Sequence, residues 1–252
     1  MSDMIKSLIA LVSSTITVHL IYISYIRPQA ELVMQHAKEV GQSAPRDLFV
    51  ILKDYEQELC MILMLWAGFL IISKCLEVLK NRYLFSVDLL EDGSDDKSDL
   101  KVVLSNLEAL PAETNQTPLV VALMASLRRY LITGDVQNTS DAVESSIEAL
   151  AVRQEASNSM IRFLIWAIPS IGFIGTVRGI GGALAQADQA LAGDISAMTN
   201  SLGLAFNSTL VALMISILLM FLLHQLLRLQ DELVVDTQSY CEKFLLKRIS
   251  EK

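Results

Sequence analysis

The chain has 252 residues, of which 52% are hydrophobic and only 19% are charged. Its mean hydropathy of +0.45 is too high for a soluble domain of this length, so a large part of the apolar surface must face lipid. The net charge of −8 and the three isolated cysteines argue against three classes: a nucleic-acid binder, a disulfide-stabilised secreted domain and a zinc module with paired cysteines.

Two apolar stretches near the N-terminus predict membrane spans, since a bilayer-crossing helix needs about 20 predominantly apolar residues. The first covers about residues 5–26, and no small-residue cleavage site follows it, so it predicts a retained anchor rather than a secretory signal. The second covers about residues 59–79. Residues 1–79 are therefore predicted to form a two-span N-terminal region with an outer loop over residues 27–58.

Residues 80–139 are predicted to form a cytoplasmic helical segment. It contains a polar, acidic run at residues 91–99, which is typical of a mobile linker. After the run, residues 100–110 and 118–132 have the apolar spacing of short helices, and Gly134 is placed to end the second of them.

The C-terminal region, residues 140–252, is predicted to hold the other two spans. A helix that starts near residue 140 is predicted to continue through a third span at about residues 160–184, because Pro169 is the first helix breaker in it. A fourth span at about residues 201–227 is followed by an amphipathic tail, which predicts a cytoplasmic C-terminal helix. The predicted fold is an all-α polytopic membrane protein with four transmembrane helices, two of which extend into the cytoplasm as long helices.

The distribution of Lys and Arg predicts the orientation of the spans, because basic residues stay on the cytoplasmic side. The loop between the third and fourth spans, residues 185–200, contains neither Lys nor Arg, so it is predicted to lie outside. Both termini are then cytoplasmic. Residues 27–58 are placed outside as well, although they contain four basic residues that the rule does not favour there.

Small residues recur at steps of three and four along one face of each C-terminal span, which is typical of close helix packing in membranes. The predicted packing positions are Pro169, Gly172, Gly175, Gly179, Ala205 and Ala212. By themselves these residues indicate helix association and nothing more specific.

Two threonines, Thr176 and Thr209, lie within these spans and are candidates for an ion pathway. A hydroxyl group can coordinate an ion or a water molecule, but it also commonly bonds its own helix backbone. Asn207 and Ser208 add polar oxygens beside Thr209. The sequence pattern alone therefore leaves a structural role open for all four side chains.

Two stretches resemble the motifs of one family. Residues 168–180 contain a Pro, then Gly-Phe-Ile-Gly-Thr-Val and a following Gly-Ile, and residues 205–213 read Ala-Phe-Asn-Ser-Thr-Leu-Val-Ala-Leu. Together they are similar to the paired motifs of the MotA/TolQ/ExbB family, bacterial inner-membrane subunits of ion-driven motors, over roughly residues 140–252.

The resemblance implies a homopentamer of this subunit around two copies of a single-span partner similar to ExbD, TolR or MotB. That partner would carry a membrane aspartate and a periplasmic domain. Thr176 and Thr209 would line the passage beside the aspartate, and the small-residue faces would pack around the partner. The implied location is the bacterial inner membrane, and the implied work is done at the periplasm or outer membrane.

A proton relay needs a titratable group, and no Asp, Glu or His lies in the middle of the third or fourth span. The partner is therefore expected to supply the carboxylate, and the transported ion is expected to be H⁺ with no cofactor or metal. The oxygens of Asn207 and Ser208 keep Na⁺ as the alternative, because hard cations prefer oxygen ligands.

Arg178 is the one charged residue well inside a predicted span. In the structural interpretation it extends to the outer boundary, toward Asp188 or Asp194. In the functional interpretation it meets an acidic group of the partner or repels cations at the entrance of the pathway.

Three alternatives remain open to different degrees. An enzyme is not expected, because the sequence contains no HExxH or GxSG motif and no span with paired carboxylates. A sodium-driven stator subunit of the flagellar type agrees with four spans, whereas the motifs resemble the transport branch of the family more closely. A non-conducting scaffold would also use the small-residue faces.

Overall fold

A computed structural model describes residues 2–39, 47–87, 89 and 97–250, and within these ranges the regular structure is helical, without strands. Four helices are long and apolar enough to cross a membrane: Met4–Ala37, Tyr55–Ser86, Val136–Leu184 and Ser196–Ser250. The all-α fold with four candidate membrane helices is therefore confirmed. Of the predicted acidic linker, residues 91–96 lie outside the described residues.

The chain divides into two compact units. The first unit comprises Met1–Ile72 and Met160–His224, so it contains most of each predicted span. The second unit comprises Ser73–Ser159 and Gln225–Lys252.

The first unit begins with α1 (Ser2–Ile21), which passes through one π-helical segment (Tyr22–Ile26) into α2 (Arg27–Glu39). Proline lacks a backbone N–H and its ring clashes with the carbonyl one turn before it, so a helix normally breaks there. Here the wider π-helical segment precedes Pro28 and the helix continues.

The segment predicted as an outer loop is thus partly helical. Besides α2, it contains α3 (Leu48–Leu52), whose first turn is capped by the Asp47 side chain accepting a hydrogen bond from the Phe49 amide at 2.9 Å. The next helix, α4 (Tyr55–Asn81), starts four residues before the predicted second span and ends in a short 3₁₀ segment at Arg82–Ser86.

In the second unit, α5 (Lys97–Glu108) and α6 (Ala112–Asn115) precede α7 (Pro118–Thr133). Helix α7 has Pro118 at its first position, where the missing N–H costs nothing. It ends at Gly134, which has a φ of 67° and donates its amide to the Tyr130 carbonyl at 2.7 Å. The predicted helix end at Gly134 is confirmed.

The helix predicted to start near residue 140 and to continue unbroken differs in two places. It starts at Val136, because the Asp135 side chain accepts hydrogen bonds from the amides of Gln137 and Asn138. It is then interrupted at Asn158, between α8 (Val136–Ser157) and α9 (Ser159–Leu184). The Asn158 side chain donates to the Gln230 side chain at 2.7 Å, and both residues are buried.

The last membrane helix is longer than a bilayer requires. After the short α10 (Ala187–Leu191), α11 runs for 45 residues from Ser196 to Tyr240. At about 1.5 Å per residue, it is about twice as long as the hydrocarbon core is thick. A π-helical segment (Cys241–Leu246) and α12 (Lys247–Ser250) follow it.

The core of the second unit joins the C-terminal helical segments to the preceding helices. Tyr240, Cys241, Leu245 and Ile249 are buried in one apolar cluster with Leu100 and other side chains. The Tyr240 hydroxyl also accepts a hydrogen bond from the Leu89 amide and donates one to the Val87 carbonyl, both at 2.8 Å. The predicted amphipathic tail thus has a packed apolar face.

Candidate ion pathway between two membrane helices

Helices α9 and α11 pack closely enough to require glycine in the first unit. A Cβ atom added to Gly172 would lie 2.5 Å from the Ala212 Cβ, and one added to Gly179 would lie 2.7 Å from the Ala205 Cβ. Both distances are far shorter than a normal contact between carbon atoms. The predicted packing residues therefore face each other within one chain.

Gly175 occupies a three-way contact. A Cβ atom there would lie 2.5 Å from the Ser208 side chain of α11 and 3.2 Å from the Cγ atom of Glu56 in α4. Its missing side chain therefore admits two other helices to the same point of α9.

The two threonines meet across this interface. Their hydroxyl groups are hydrogen-bonded to each other, and both side chains are partly buried. The Thr176 hydroxyl also lies 3.1 Å from the carbonyl oxygen of Ala205, and the Thr209 hydroxyl lies 3.2 Å from that of Gly172. The residues predicted from sequence as a pair are thus a pair in the structure.

The hydrogen bonds of this pair have more than one arrangement. Each hydroxyl group has one proton to donate and two lone pairs to accept with. Three acceptors surround the two protons: the other hydroxyl, the Ala205 carbonyl and the Gly172 carbonyl. Thr176 and Thr209 can therefore exchange donor and acceptor roles without a large movement, and lone pairs remain for a water molecule or a cation.

The two polar neighbours of Thr209 are placed differently. Ser208 is buried, and its hydroxyl donates to the Leu204 carbonyl of its own helix at 2.9 Å. Asn207 is half-buried. The structure therefore gives Ser208 a backbone partner and a place in the helix interface, on the side that faces Gly175.

Pro169 removes a hydrogen bond from the middle of α9, and α11 replaces it. Without an N–H at Pro169, the carbonyl of Ile165 loses its usual donor four residues later. The buried Ser216 hydroxyl donates to that carbonyl at 3.3 Å. The proline therefore creates an acceptor that belongs to the interface between α9 and α11.

Arg178 does not pair with the acidic residues that the sequence suggested. Its guanidinium donates to the Glu56 carboxylate of α4 at 2.7 Å. Asp194 instead caps the start of α11, and hydrogen bonds from Ser196 lower the pKa of its carboxyl group. The interpretation of Arg178 as a partner of Asp188 or Asp194 is thus replaced by an ion pair with the second span.

A second carboxylate of α4 is also paired. Glu58 is buried, and it accepts hydrogen bonds from His19 at 2.6 Å and from Arg27 at 2.5 Å. Sequence reasoning missed both Glu56 and Glu58 as partners, because their contacts come from helices 31 to 122 residues away. The available signal was two acidic residues in the first turn of a helix, where the helix dipole favours negative charge.

Comparison with known proteins identifies a family. The model of the MotA/TolQ/ExbB proton channel family matches residues 114–239. This range includes both threonines and all the small residues of the interface. Among curated proteins and solved structures, none matches this chain.

Proposed function

Because this chain belongs to the MotA/TolQ/ExbB proton channel family, we propose that it is the ion-channel subunit of an inner-membrane motor. Five copies surround two copies of a single-span partner similar to ExbD, TolR or MotB. Inward proton flow drives mechanical work at the periplasm or outer membrane. A membrane potential supplies about 2.3 kcal/mol per charge per 100 mV for this work.

The observation that supports the proposal most directly is the contact between Thr176 and Thr209. The two side chains come from the two helices that carry the family's motifs, and their hydroxyls hold spare lone pairs at mid-span. A passing proton or cation needs such oxygens, because an unsolvated charge in lipid is costly. The threonine pair is therefore the proposed lining of the pathway.

The partner is needed for the chemistry of proton transfer. In the middle of α9 and α11 the sequence places hydroxyl and amide groups but no carboxylate. Hydroxyl groups can pass a proton along a hydrogen-bonded chain, but they do not hold it at neutral pH. An aspartate of the single-span partner supplies the group that is loaded and unloaded.

The proposed orientation follows the distribution of basic residues. Both termini and residues 80–139 lie in the cytoplasm, and residues 185–200 lie outside. Four spans also agree with a sodium-driven stator of the flagellar type. For that alternative Asn207, beside Thr209, is the additional oxygen ligand.

A non-conducting scaffold is the second candidate, and one observation favours it. The hydroxyls of Thr176 and Thr209 already have backbone acceptors on each other's helices, so they stabilise helix packing even without an ion. A test must therefore separate packing from transport.

The experiment compares Thr176→Val and Thr209→Val, which keep the side-chain shape, with Thr176→Ser and Thr209→Ser, which keep the hydroxyl. Thr15→Val is the matched control, because Thr15 is exposed on α1 and bonds only its own helix at Leu11. The intact complex is purified from native membranes through a tag on this chain and reconstituted in phospholipid vesicles. Proton and sodium uptake are then measured under an imposed potential.

We expect the valine variants to assemble but to lose at least about tenfold in ion uptake, and the serine variants and Thr15→Val to keep most of it. Subunit mass in detergent checks that five copies assemble. Full uptake by both valine variants contradicts the proposed pathway lining, whereas a wild-type complex that assembles but takes up neither ion favours the scaffold.

A further inference from the structure

The ion pair between Glu56 and Arg178 lies outside the proposed lining of the pathway. The pair joins the first turn of α4 to α9. In α9, Arg178 lies two residues after Thr176. The Glu56 side chain is only 11% exposed, whereas that of Arg178 is 48% exposed. A charge so close to a cation pathway acts on it through its field, whether or not it makes contact.

Helix geometry sets the distance. Two residues along an α-helix correspond to about 200° of rotation and about 3 Å of rise, so Arg178 and Thr176 point to nearly opposite sides of α9. With a helix diameter of about 10–12 Å, the guanidinium lies on the order of 10 Å from the Thr176 hydroxyl. Arg178 therefore does not line the pathway beside Thr176, but it is within range to influence a cation there.

The size of that influence depends on whether the charge is compensated. One unpaired positive charge about 10 Å from a cation changes its binding about 2-fold in a water-like medium and about 15-fold at the effective dielectric constant of a protein surface. A carboxylate at 2.7 Å cancels most of this field. Glu56 is thus placed to decide whether Arg178 repels the cation.

Other charged groups lie close to this pair. Burial raises the pKa of the Asp54 carboxyl group, and Lys53 and Arg178 oppose that shift. The carboxylate in direct contact with the Arg178 guanidinium is that of Glu56, at 2.7 Å. Arg27 is paired with Glu58, which also contacts His19. Glu56 is therefore the main compensating charge for Arg178.

We propose that Glu56 sets the cation affinity of the pathway by cancelling the positive field of Arg178. This inference rests on the proposed function. Glu56 is a positioning residue for charge, since it acts through Arg178 and does not touch the transported ion.

The proposal makes predictions of opposite sign. Glu56→Gln leaves Arg178 uncompensated, so the half-saturating cation concentration rises about 2- to 15-fold while the maximal rate is kept. Arg178→Gln leaves Glu56 uncompensated, so the half-saturating concentration falls over a similar range. In the double variant both charges are gone, and the value returns to within about 2-fold of the wild type.

A merely structural ion pair predicts something else. Breaking it from either side loosens the same contact between α4 and α9, so both single variants shift in the same direction. The double variant, which also lacks the pair, is then no better than the singles. The sign of the Arg178→Gln shift thus separates the two roles.

The experiment uses the intact complex in vesicles of phosphatidylethanolamine and phosphatidylglycerol under a fixed potential. Initial uptake is measured against external Na⁺ at constant pH and against external pH at constant Na⁺. Added choline chloride reduces both shifts, because salt screens charges that are partly exposed. Glu108→Gln, which breaks the exposed pair with Arg128 in the second unit, leaves the half-saturating concentration unchanged.

Shifts of opposite sign that shrink in choline chloride support the proposal. Shifts of the same sign, or none in either single variant, overturn it. If Glu56→Gln does not assemble, Arg178→Gln decides alone, and an unchanged or raised half-saturating concentration overturns the proposal.

Failure of the proposed function can be distinguished from failure of this inference. Wild-type complex that moves neither ion overturns both ideas. A different result overturns this inference alone: the wild type takes up ions, the valine variants do not, and neither Glu56→Gln nor Arg178→Gln changes the half-saturating concentration.

Discussion

The Ser216 hydroxyl donates a hydrogen bond to the Ile165 carbonyl, the acceptor that Pro169 leaves without its usual helical donor. A hydroxyl group on α11 thus supplies the hydrogen bond that the proline removes from α9. The relationship ties the position of the proline to a residue 47 places further along the chain.

The first prediction follows from this relationship. Ser216→Ala should destabilise the first unit by about 0.6 kcal/mol, the average measured for hydrogen bonds between membrane helices, and by no more than about 1.7 kcal/mol. In the background of Pro169→Ala, which restores a backbone N–H for Ile165, the same change should cost clearly less. Unfolding of the detergent-solubilised protein measures both values, and an equal cost in the two backgrounds would disprove the connection.

The second prediction concerns the close packing at Gly175. Gly175→Ala places a Cβ atom 2.5 Å from Ser208, so it should destabilise by about 1–3 kcal/mol. Gly181→Ala in the same helix is the control, because among the described residues nothing beyond its own chain neighbours and helix backbone lies within 4 Å of its added Cβ. The control should be neutral or slightly stabilising, since alanine is the better helix former. Thermal unfolding in detergent distinguishes the two variants.

A third prediction compares two ion pairs of different burial. Glu58→Ala leaves Arg27 without its buried carboxylate, and it should cost about 3 kcal/mol or more. Glu108→Ala removes an exposed pair with Arg128 and should cost no more than about 1 kcal/mol. Chemical unfolding measures both, and similar costs would mean that the Glu58 environment is more solvated than its exposure of 6% indicates.

The fourth prediction concerns the second unit. Tyr240→Phe removes the hydroxyl that holds the Leu89 amide and the Val87 carbonyl while leaving the ring packing intact. Amide hydrogen exchange at Leu89 should accelerate, and the unfolding free energy should fall by about 1 kcal/mol. Unchanged exchange at Leu89 with a lower stability would instead indicate a packing effect.

The threonine pair and the glycine face could be predicted from sequence because their signal is local. Hydropathy marks the spans, and the repeat of Gly172, Gly175 and Gly179 marks one face of a helix. The family motifs then single out Thr176 and Thr209. No knowledge of distant contacts is needed for these conclusions.

The partners of Arg178 and Glu58 could not be predicted, because they depend on which helices become neighbours. A charge at a span boundary has several acidic residues within chain reach, and sequence distance favoured Asp188 and Asp194 over Glu56. Asp194 was already engaged in capping α11, a short-range interaction that competes for the same carboxylate.

The predicted helix boundaries were wrong for a different reason. Pro28 reads as the end of a span, yet the chain widens its helix in the preceding turn and continues. Asn158, which has no strong breaking tendency, interrupts the helix between α8 and α9. Local propensity is weaker than tertiary contacts at both points.

The π-helical segment at Tyr22–Ile26 also determines which residues share a helix face. His19 and Arg27 are eight residues apart, which in a regular α-helix is about 80° away from alignment. A π-helical turn absorbs about one extra residue, so the effective spacing becomes about seven residues, or two turns. Both side chains then reach the same carboxylate of Glu58. The extra residue of the π-helical segment thus places His19 and Arg27 on the same side of the chain. If residues 22–26 formed a regular α-helix of the same length, His19 would be rotated away from Arg27 by about 80°.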